Sequence, residues 1–262
     1  TASAESRADN LIGLIADKRE LLAFGSTTIE MWYDAANAVG FPFSVRPGEY
    51  YDIGCSAKGS IVSIDNTVFF LDHRRYITAL SPDNGLNILS PPWLRNKITS
   101  YSRVDDAEAY AFEDAGQLMY IINFPNEGIT WAYDLTTQQF HERAYWGAGA
   151  VEFTRHRVSC CSKYKQHYIA GDFSNGNIYL YGHQFKDDYG QQIRRLFTSS
   201  FLHSADLLTT INSIYLHGEF GKGATVSPGD NPQLMMRYSS DGGYSWSNEL
   251  WESLGKLGNY NQ

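Results

Sequence analysis

A pair of short apolar strands split by a tight polar turn recurs along this chain of 262 residues. No other feature restricts its fold as much, because a supersecondary unit repeated at a fixed period marks a repeat architecture. The pair stands at Glu20–Phe24 and Ile29–Tyr33, at Thr67–Leu71 and Tyr76–Leu80, at Leu118–Ile122 and Thr130–Asp134, and at His167–Gly171 and Ile178–Tyr181. A fifth copy reads Ser213–His217, a longer excursion, then Gln233–Arg237. The second strands centre on Trp32, Thr78, Ala132, Leu180 and Arg237, spaced by 46, 54, 48 and 57 residues. Propeller blades of four strands repeat every ~40 to 50 residues, and loop insertions account for the excess. Alternation within the strands is imperfect, as it is when both faces of a sheet are packed. The expected fold is all-β, a β-propeller with about five blades, residues 1–262 forming a single propeller domain. A β-sandwich is the alternative, but it does not require so regular a doublet.

Aromatic side chains make up 15% of the chain and glycines number 23, which suits many strands joined by tight turns. Helix signal is thin: only Ala4 to Leu14 is expected to form a short helical turn. Residues 57–66 read as strand, turn, strand, while Pro91-Pro92 and Gly223 to Pro232 read as loops between blades. No apolar run approaches the ~20 residues of a membrane helix.

Net charge is −8. Tight binding to a phosphate backbone needs clustered Lys and Arg, and the basic pairs Arg74-Arg75 and Arg194-Arg195 are too short to form a patch. The three cysteines, Cys55, Cys160 and Cys161, make a poor disulfide framework, since adjacent cysteines bridge only with strain. They read as reduced, partly buried thiols, which favours assembly in a cytoplasm.

Near the C-terminal end stands Tyr238-Ser239-Ser240-Asp241-Gly242-Gly243-Tyr244-Ser245-Trp246. It fits S-x-D-x-G-x-x-W, the Asp-box turn of sialidases and other sugar-binding propellers. Its logic is mechanical. Asp241 accepts turn amides, Ser239 opens the turn, Gly243 supplies a positive φ, and the Trp246 ring is expected to pack back between strands. Ser239, Asp241, Gly243 and Trp246 are therefore read as a structural turn, and a turn is weak support for catalysis. A sialidase also needs an arginine trio, a Tyr nucleophile paired with Glu, an acid Asp, and an early Phe/Tyr-Arg-Ile-Pro stretch. The nearest string here is Phe43-Ser44-Val45-Arg46-Pro47-Gly48, which does not match. Other glycosidases need two carboxylates at a set separation, whereas Asp34, Asp83, Asp105, Asp106, Asp134, Asp187, Asp188 and Asp241 all fall where turns are expected.

No metal-ligand spacing, phosphate loop or nucleophile elbow is present. His141, His156, His167 and His183 read as structural or surface residues. No catalytic, cofactor-binding or metal-ligating residue is assigned, and no cofactor is expected. A carbohydrate-binding or sialidase-like propeller is the alternative function. Trp32, Trp93, Trp146 and Trp251 are candidate interface aromatics, at least half of them expected in the core.

Residues 14–55, from Leu14-Ile15-Ala16-Asp17 to Cys55, resemble the packaged-DNA stabilization proteins of short-tailed phages, also called tail accessory, hub or nozzle proteins. Further matching stretches are Phe140–Trp146, Arg155–Cys161, Gly171–Tyr179, Ile193–Leu196 and Tyr238–Tyr260, in the same order along the chain. The resemblance implies a virion structural protein and no active site. It implies a sixfold homo-oligomeric ring below the portal and tail adaptor that extends the channel and retains packaged DNA. It also implies docking of the tail needle and in some members tailspikes, with no membrane partner. Family members are longer, so this chain is expected to be part of a longer propeller of six or seven blades. An acidic lumen would let channel DNA pass without sequence-specific or counterion-releasing contacts. The expected location is the virion tail, after assembly in the host cytoplasm.

Overall fold

The computed structural model describes residues 9–36, 40–83, 85–147, 149–150, 152–185, 187–200, 202, 210–227 and 229–259. They fall into two compact units. The first comprises Thr1–Tyr145 with Glu152–His183, and the second Trp146–Val151 with Gln184–Gln262. A single unit was expected. The difference arises because the repeat does not continue past the fourth doublet.

The first unit is a series of antiparallel sheets, each a meander in chain order. Strands β1 (Leu11–Asp17), β2 (Glu20–Gly25), β3 (Ile29–Asp34) and β4 (Phe43–Tyr51) make the first blade. The second is β5 (Val62–Ile64), β6 (Thr67–Leu71), β7 (Ile77–Leu80) and β8 (Leu86–Ile88). After the helix α1 (Pro92–Thr99) comes a five-stranded blade of β9 (Glu108–Asp114), β10 (Gln117–Phe124), β11 (Ile129–Asp134), β12 (Gln139–Tyr145) and β13 (Thr154–Arg155). The fourth sheet has three strands, β14 (Val158–Tyr164), β15 (His167–Asp172) and β16 (Ile178–Tyr181). The first four predicted doublets are thus the second and third strands of successive blades, and the β-propeller architecture expected from them is present.

Those central strands are apolar on both faces because each face meets a different blade. Val68 and Phe70 of β6 pack with Leu22, Phe24, Ile29 and Met31 of the first blade. Phe69 and Leu71, on the other face of β6, pack with Tyr120, Ile122 and Phe124 of β10. The opposite face of β10, Met119 and Ile121, packs with Val158 and Ala170 of the fourth blade. Phe70, Leu71, Tyr120, Ile121, Ile122 and Phe124 are fully buried, and each such side chain contributes roughly 1.5–3 kcal/mol by leaving water.

The first two strands of each blade are joined in the same way. The flanking pairs Asp17↔Glu20, Ile64↔Thr67, Asp114↔Gln117 and Tyr164↔His167 close two-residue hairpins. The first turn residue has positive φ in all four, at Lys18, Asp65, Ala115 and Lys165, the backbone twist that a two-residue hairpin needs. At the other end of the strands, carboxylates cap the loops between second and third strands. Asp9 accepts the amides of Ser26, Thr27 and Thr28. Asp72 accepts those of Arg74 and Tyr76, Asp106 that of Asn126, and Asp172 that of Ser174.

Three local expectations need correction. Within Ala4–Leu14, residues 4–8 lie outside the described residues, and from Leu11 the chain is strand, because Ile12 and Ile15 pack on the first seam. Lys58–Ser60 form a 3-10 turn rather than a strand. Pro91-Pro92 opens α1 instead of marking a bare loop. Proline suits the first helical turn, whose amides have no intrahelical partner, and Leu94 and Ile98 bury the helix against the second seam.

The second unit contains β17 (Asp187–Asp188) paired with β18 (Gln191–Gln192), and β19 (Gln233–Met236) paired with β20 (Leu250–Ser253). The fifth predicted doublet falls here. Ser213–His217 is not strand, and Gln233–Met236 takes its partner from downstream. Among the described residues, no helix is long and apolar enough to cross a membrane.

Candidate functional site

The Asp-box residues stand together in the connection between β19 and β20. Ser239 Oγ donates to Asp241 Oδ1 at 2.7 Å and accepts the Gly243 amide at 2.8 Å. Asp241 Oδ1 accepts the Ser245 amide at 2.9 Å, and Oδ2 accepts the Ser245 hydroxyl at 2.5 Å. The Ser245 hydroxyl, the Ser245 amide and the Ser239 hydroxyl together hold the Asp241 carboxyl well below the usual carboxylate range. Gly242 and Gly243 have φ of +75° and +94°. Ser245 is thus a member of the turn that the motif pattern leaves unspecified. Trp246 departs from expectation. The residue is 40% exposed, and the Arg237 guanidinium lies 4.9 Å from the centre of its ring, a cation–π contact.

The other turn acids are engaged in the same manner. Asp34 accepts the Ala36 amide, Asp83 that of Gly85, Asp134 that of Thr136 and Asp187 that of Gly190. Among the described residues no three His, Cys, Asp or Glu side chains are arranged to hold a metal ion. Cys55 is buried, and burial raises its pKa. Cys161 is pushed up to about 12, by burial and then by the neighbouring Cys160; thiols so shifted are poor nucleophiles at neutral pH.

A polar cluster lies at the third seam. His156 Nε2 is 3.2 Å from the Tyr181 hydroxyl, to which Arg143 also donates. Burial, then the charges of Arg143 and Arg155, bring the His156 pKa down to about 3, so its imidazole is neutral.

Sequence reading missed a basic, aromatic surface built around α1. Arg74 and Arg75 lie in the loop between β6 and β7, and α1 carries Arg95 and Lys97. The Arg74 and Arg95 guanidinium carbons stand 5.2 and 5.3 Å from the centre of the Tyr76 ring. Arg75 Nη1 donates to the carbonyls of Thr99 and Tyr101 at 3.0 and 2.6 Å, clamping the C-terminal end of the helix. Lys97 Nζ lies 4.7 Å from the centre of the Trp131 ring, against which Trp93 packs edge-on at 5.5 Å. Trp93 is 52% exposed. Arg74 also lines an open cavity of about 340 Å³ together with Tyr50, Tyr51, Asp52, Ile53, Thr78, Leu86 and Ile88. Of the four candidate interface tryptophans, Trp32 is buried, Trp146 half-buried, and Trp93 and Trp251 exposed.

Comparison with known proteins brings the two units together. Residues 1–184 match the family model described as "Bacteriophage P22 Gp10, beta-propeller", and residues 194–262 the one described as "Bacteriophage P22 Gp10, beta-sandwich". No curated protein matches the chain. Similar solved structures include the computationally designed Ika4 protein, at 13% identity and TM-score 0.35, covering 68% of this chain and 94% of that one. The designed Ika8 protein is 12% identical at TM-score 0.33, covering 65% of this chain and 45% of that one. PorZ, a surface component of the type-IX secretion system of Porphyromonas gingivalis, is 8% identical at TM-score 0.30, covering 68% and 27%. The chain therefore spans less than half of the Ika8 and PorZ chains. The two family models, taken with the serial blades, place this chain in the bacteriophage P22 Gp10 family of phage structural proteins, to which it belongs.

Proposed function

We propose that this protein is a hub or nozzle subunit of a short phage tail. In this reading six copies form a ring that extends the channel below the portal and tail adaptor. The ring retains packaged DNA and docks the tail needle and, where present, tailspikes. Assembly takes place in the host cytoplasm before the subunit joins the virion tail. The observation that carries the reading is the family match along both units.

The physics of the blades supports it. A channel subunit must keep its shape under load. Three apolar seams, each built from fully buried side chains of two blades, make local opening costly. A net charge of −8 suits a wall that DNA passes without adhering. Mass measurement of the protein with and without the adaptor ring tests the assembly. Six copies per adaptor ring are expected, and a chain that stays single in the presence of the adaptor would overturn the reading. Phage particles grown without the protein should lose their DNA to nuclease after packaging; particles that hold it equally well would remove the retention role.

A further inference from the structure

We propose that the surface around α1 is a docking site for an acidic segment of a partner protein, one that offers an apolar side chain between carboxylates. The assignment is independent of the tail role, since it rests on the chemistry of this surface alone. Arg74 and Arg95 share the Tyr76 ring, Arg75 binds the C-terminal end of α1, and Lys97 lies on the Trp131 side of the same helix, four cations in all. Among the described residues only two carboxylates pair with them: Asp72 with Arg74 at 2.7 Å and Glu142 with Lys97 at 3.8 Å. Asp52, in the lining of the adjoining cavity, is a third carboxylate, so the cations exceed the carboxylates by one within a chain whose total is −8. An acidic segment is its electrostatic complement.

The cations are also held in place before any partner arrives. Arg74 and Arg95 lie over the Tyr76 ring, Lys97 lies over Trp131, and Arg75 is bonded to two backbone carbonyls. Side chains already fixed lose little entropy on binding. Trp, Tyr and Arg are the residues that dominate protein–protein contact energies, and here an exposed Trp93 is braced by Trp131. The adjoining cavity of about 340 Å³ has apolar and aromatic walls in Ile53, Leu86, Ile88, Tyr50 and Tyr51, with Arg74, Asp52 and Thr78 completing its lining. The apolar walls fit an apolar or aromatic side chain, and Arg75 and Arg95, which bond to backbone carbonyls, are the cations for its flanking acids. A nucleic acid fits less well. Backbone binding needs a longer track of cations than four residues provide, and the rest of the chain repels a polyanion.

The test uses the whole protein and a fluorescent peptide, Glu-Asp-Glu-Leu-Phe-Asp-Glu-Glu, followed by anisotropy at low salt. Saturable binding is expected. It should weaken at least tenfold for the peptide with its acids replaced by Gln and Asn, and at least tenfold in the Trp93→Ala and Arg95→Glu variants. Trp93→Ala removes an exposed ring and the milder Arg95→Gln a bond to the Ser90 carbonyl, so unchanged thermal unfolding verifies that both are folded. A twelve-nucleotide single-stranded DNA is the competing probe and should not bind saturably. Absence of peptide binding, equal binding of the neutral peptide, indifference to both substitutions, or tighter binding of the oligonucleotide would each overturn the proposal.

Discussion

The phenol of Tyr120 donates a hydrogen bond of 2.8 Å to the backbone carbonyl of Ser60, sixty residues away in sequence and across the seam between the second and third blades. The ring that carries it is fully buried and stacks on Phe69, with centroids 5.2 Å apart. One residue thus supplies both apolar contact and a polar tie to the same seam.

Tyr120→Phe keeps the ring and deletes the donor, leaving a buried carbonyl without its partner. A loss of about 1–2 kcal/mol is expected, read as a lower urea midpoint with unchanged slope. Tyr120→Ala empties the seam and should cost about 3–5 kcal/mol.

Gly54 stands where no side chain fits. A Cβ there would lie 2.2 to 2.4 Å from the backbone of Ser26 and Thr27. Backbone held by the Asp9 cap cannot move aside cheaply. Gly54→Ala is therefore expected to destabilise the first unit by about 3 kcal/mol, at the upper end of overpacking costs, measured by chemical unfolding.

His156 makes stability depend on pH. Its pKa in the folded protein, about 3, lies below the ordinary 6.5, so the unfolded chain binds the extra proton. The stability it contributes is fully present above about pH 6.5 and falls away as pH drops towards 3, at up to about 1.4 kcal/mol per pH unit. His141, whose pKa is also lowered, by desolvation and then by the Arg143 charge, adds in the same direction. His156→Gln should remove close to one proton's worth of that slope between pH 6 and 4. An unchanged slope in urea titrations would show that the imidazole is not neutral in the fold.

Asp241→Ala should act locally. The amides of Ser245 and Gly243, both tied into the Ser239–Asp241 turn, are expected to exchange with deuterium faster. Unfolding of the first unit should not change. In the native protein the same loosening should appear only at acid pH, since the folded-state pKa of Asp241 is depressed and its bonds are lost as the carboxyl protonates.

The central strands were legible because burial on both faces leaves an apolar run such as Thr67–Leu71 that needs no alternation to be seen. Outer strands such as β8 and β12 are largely exposed, so their sequences carry a weaker signal. The fifth doublet misled because Gln233–Met236 has the composition of a blade strand but pairs with Leu250–Ser253 in a separate two-stranded sheet, not with Ser213–His217. The Asp-box was legible as a turn, since its residues are adjacent in sequence, but Trp246 was misplaced because nothing local announces Arg237 as its cover. The α1 surface was invisible for the same reason. Arg74 and Arg95 meet over one tyrosine only after the second blade has folded.

The seams also dictate where such a chain can grow or shrink. Deleting a single residue inside β10 would turn Tyr120 and Ile122 towards the fourth blade and Met119 and Ile121 towards the second, ruining two interfaces at once. Adding ten residues at the exposed Ala115-Gly116 turn between β9 and β10 would disturb neither. Lineages of this chain should therefore vary in length at the rims, while the count of residues within each inner strand stays frozen.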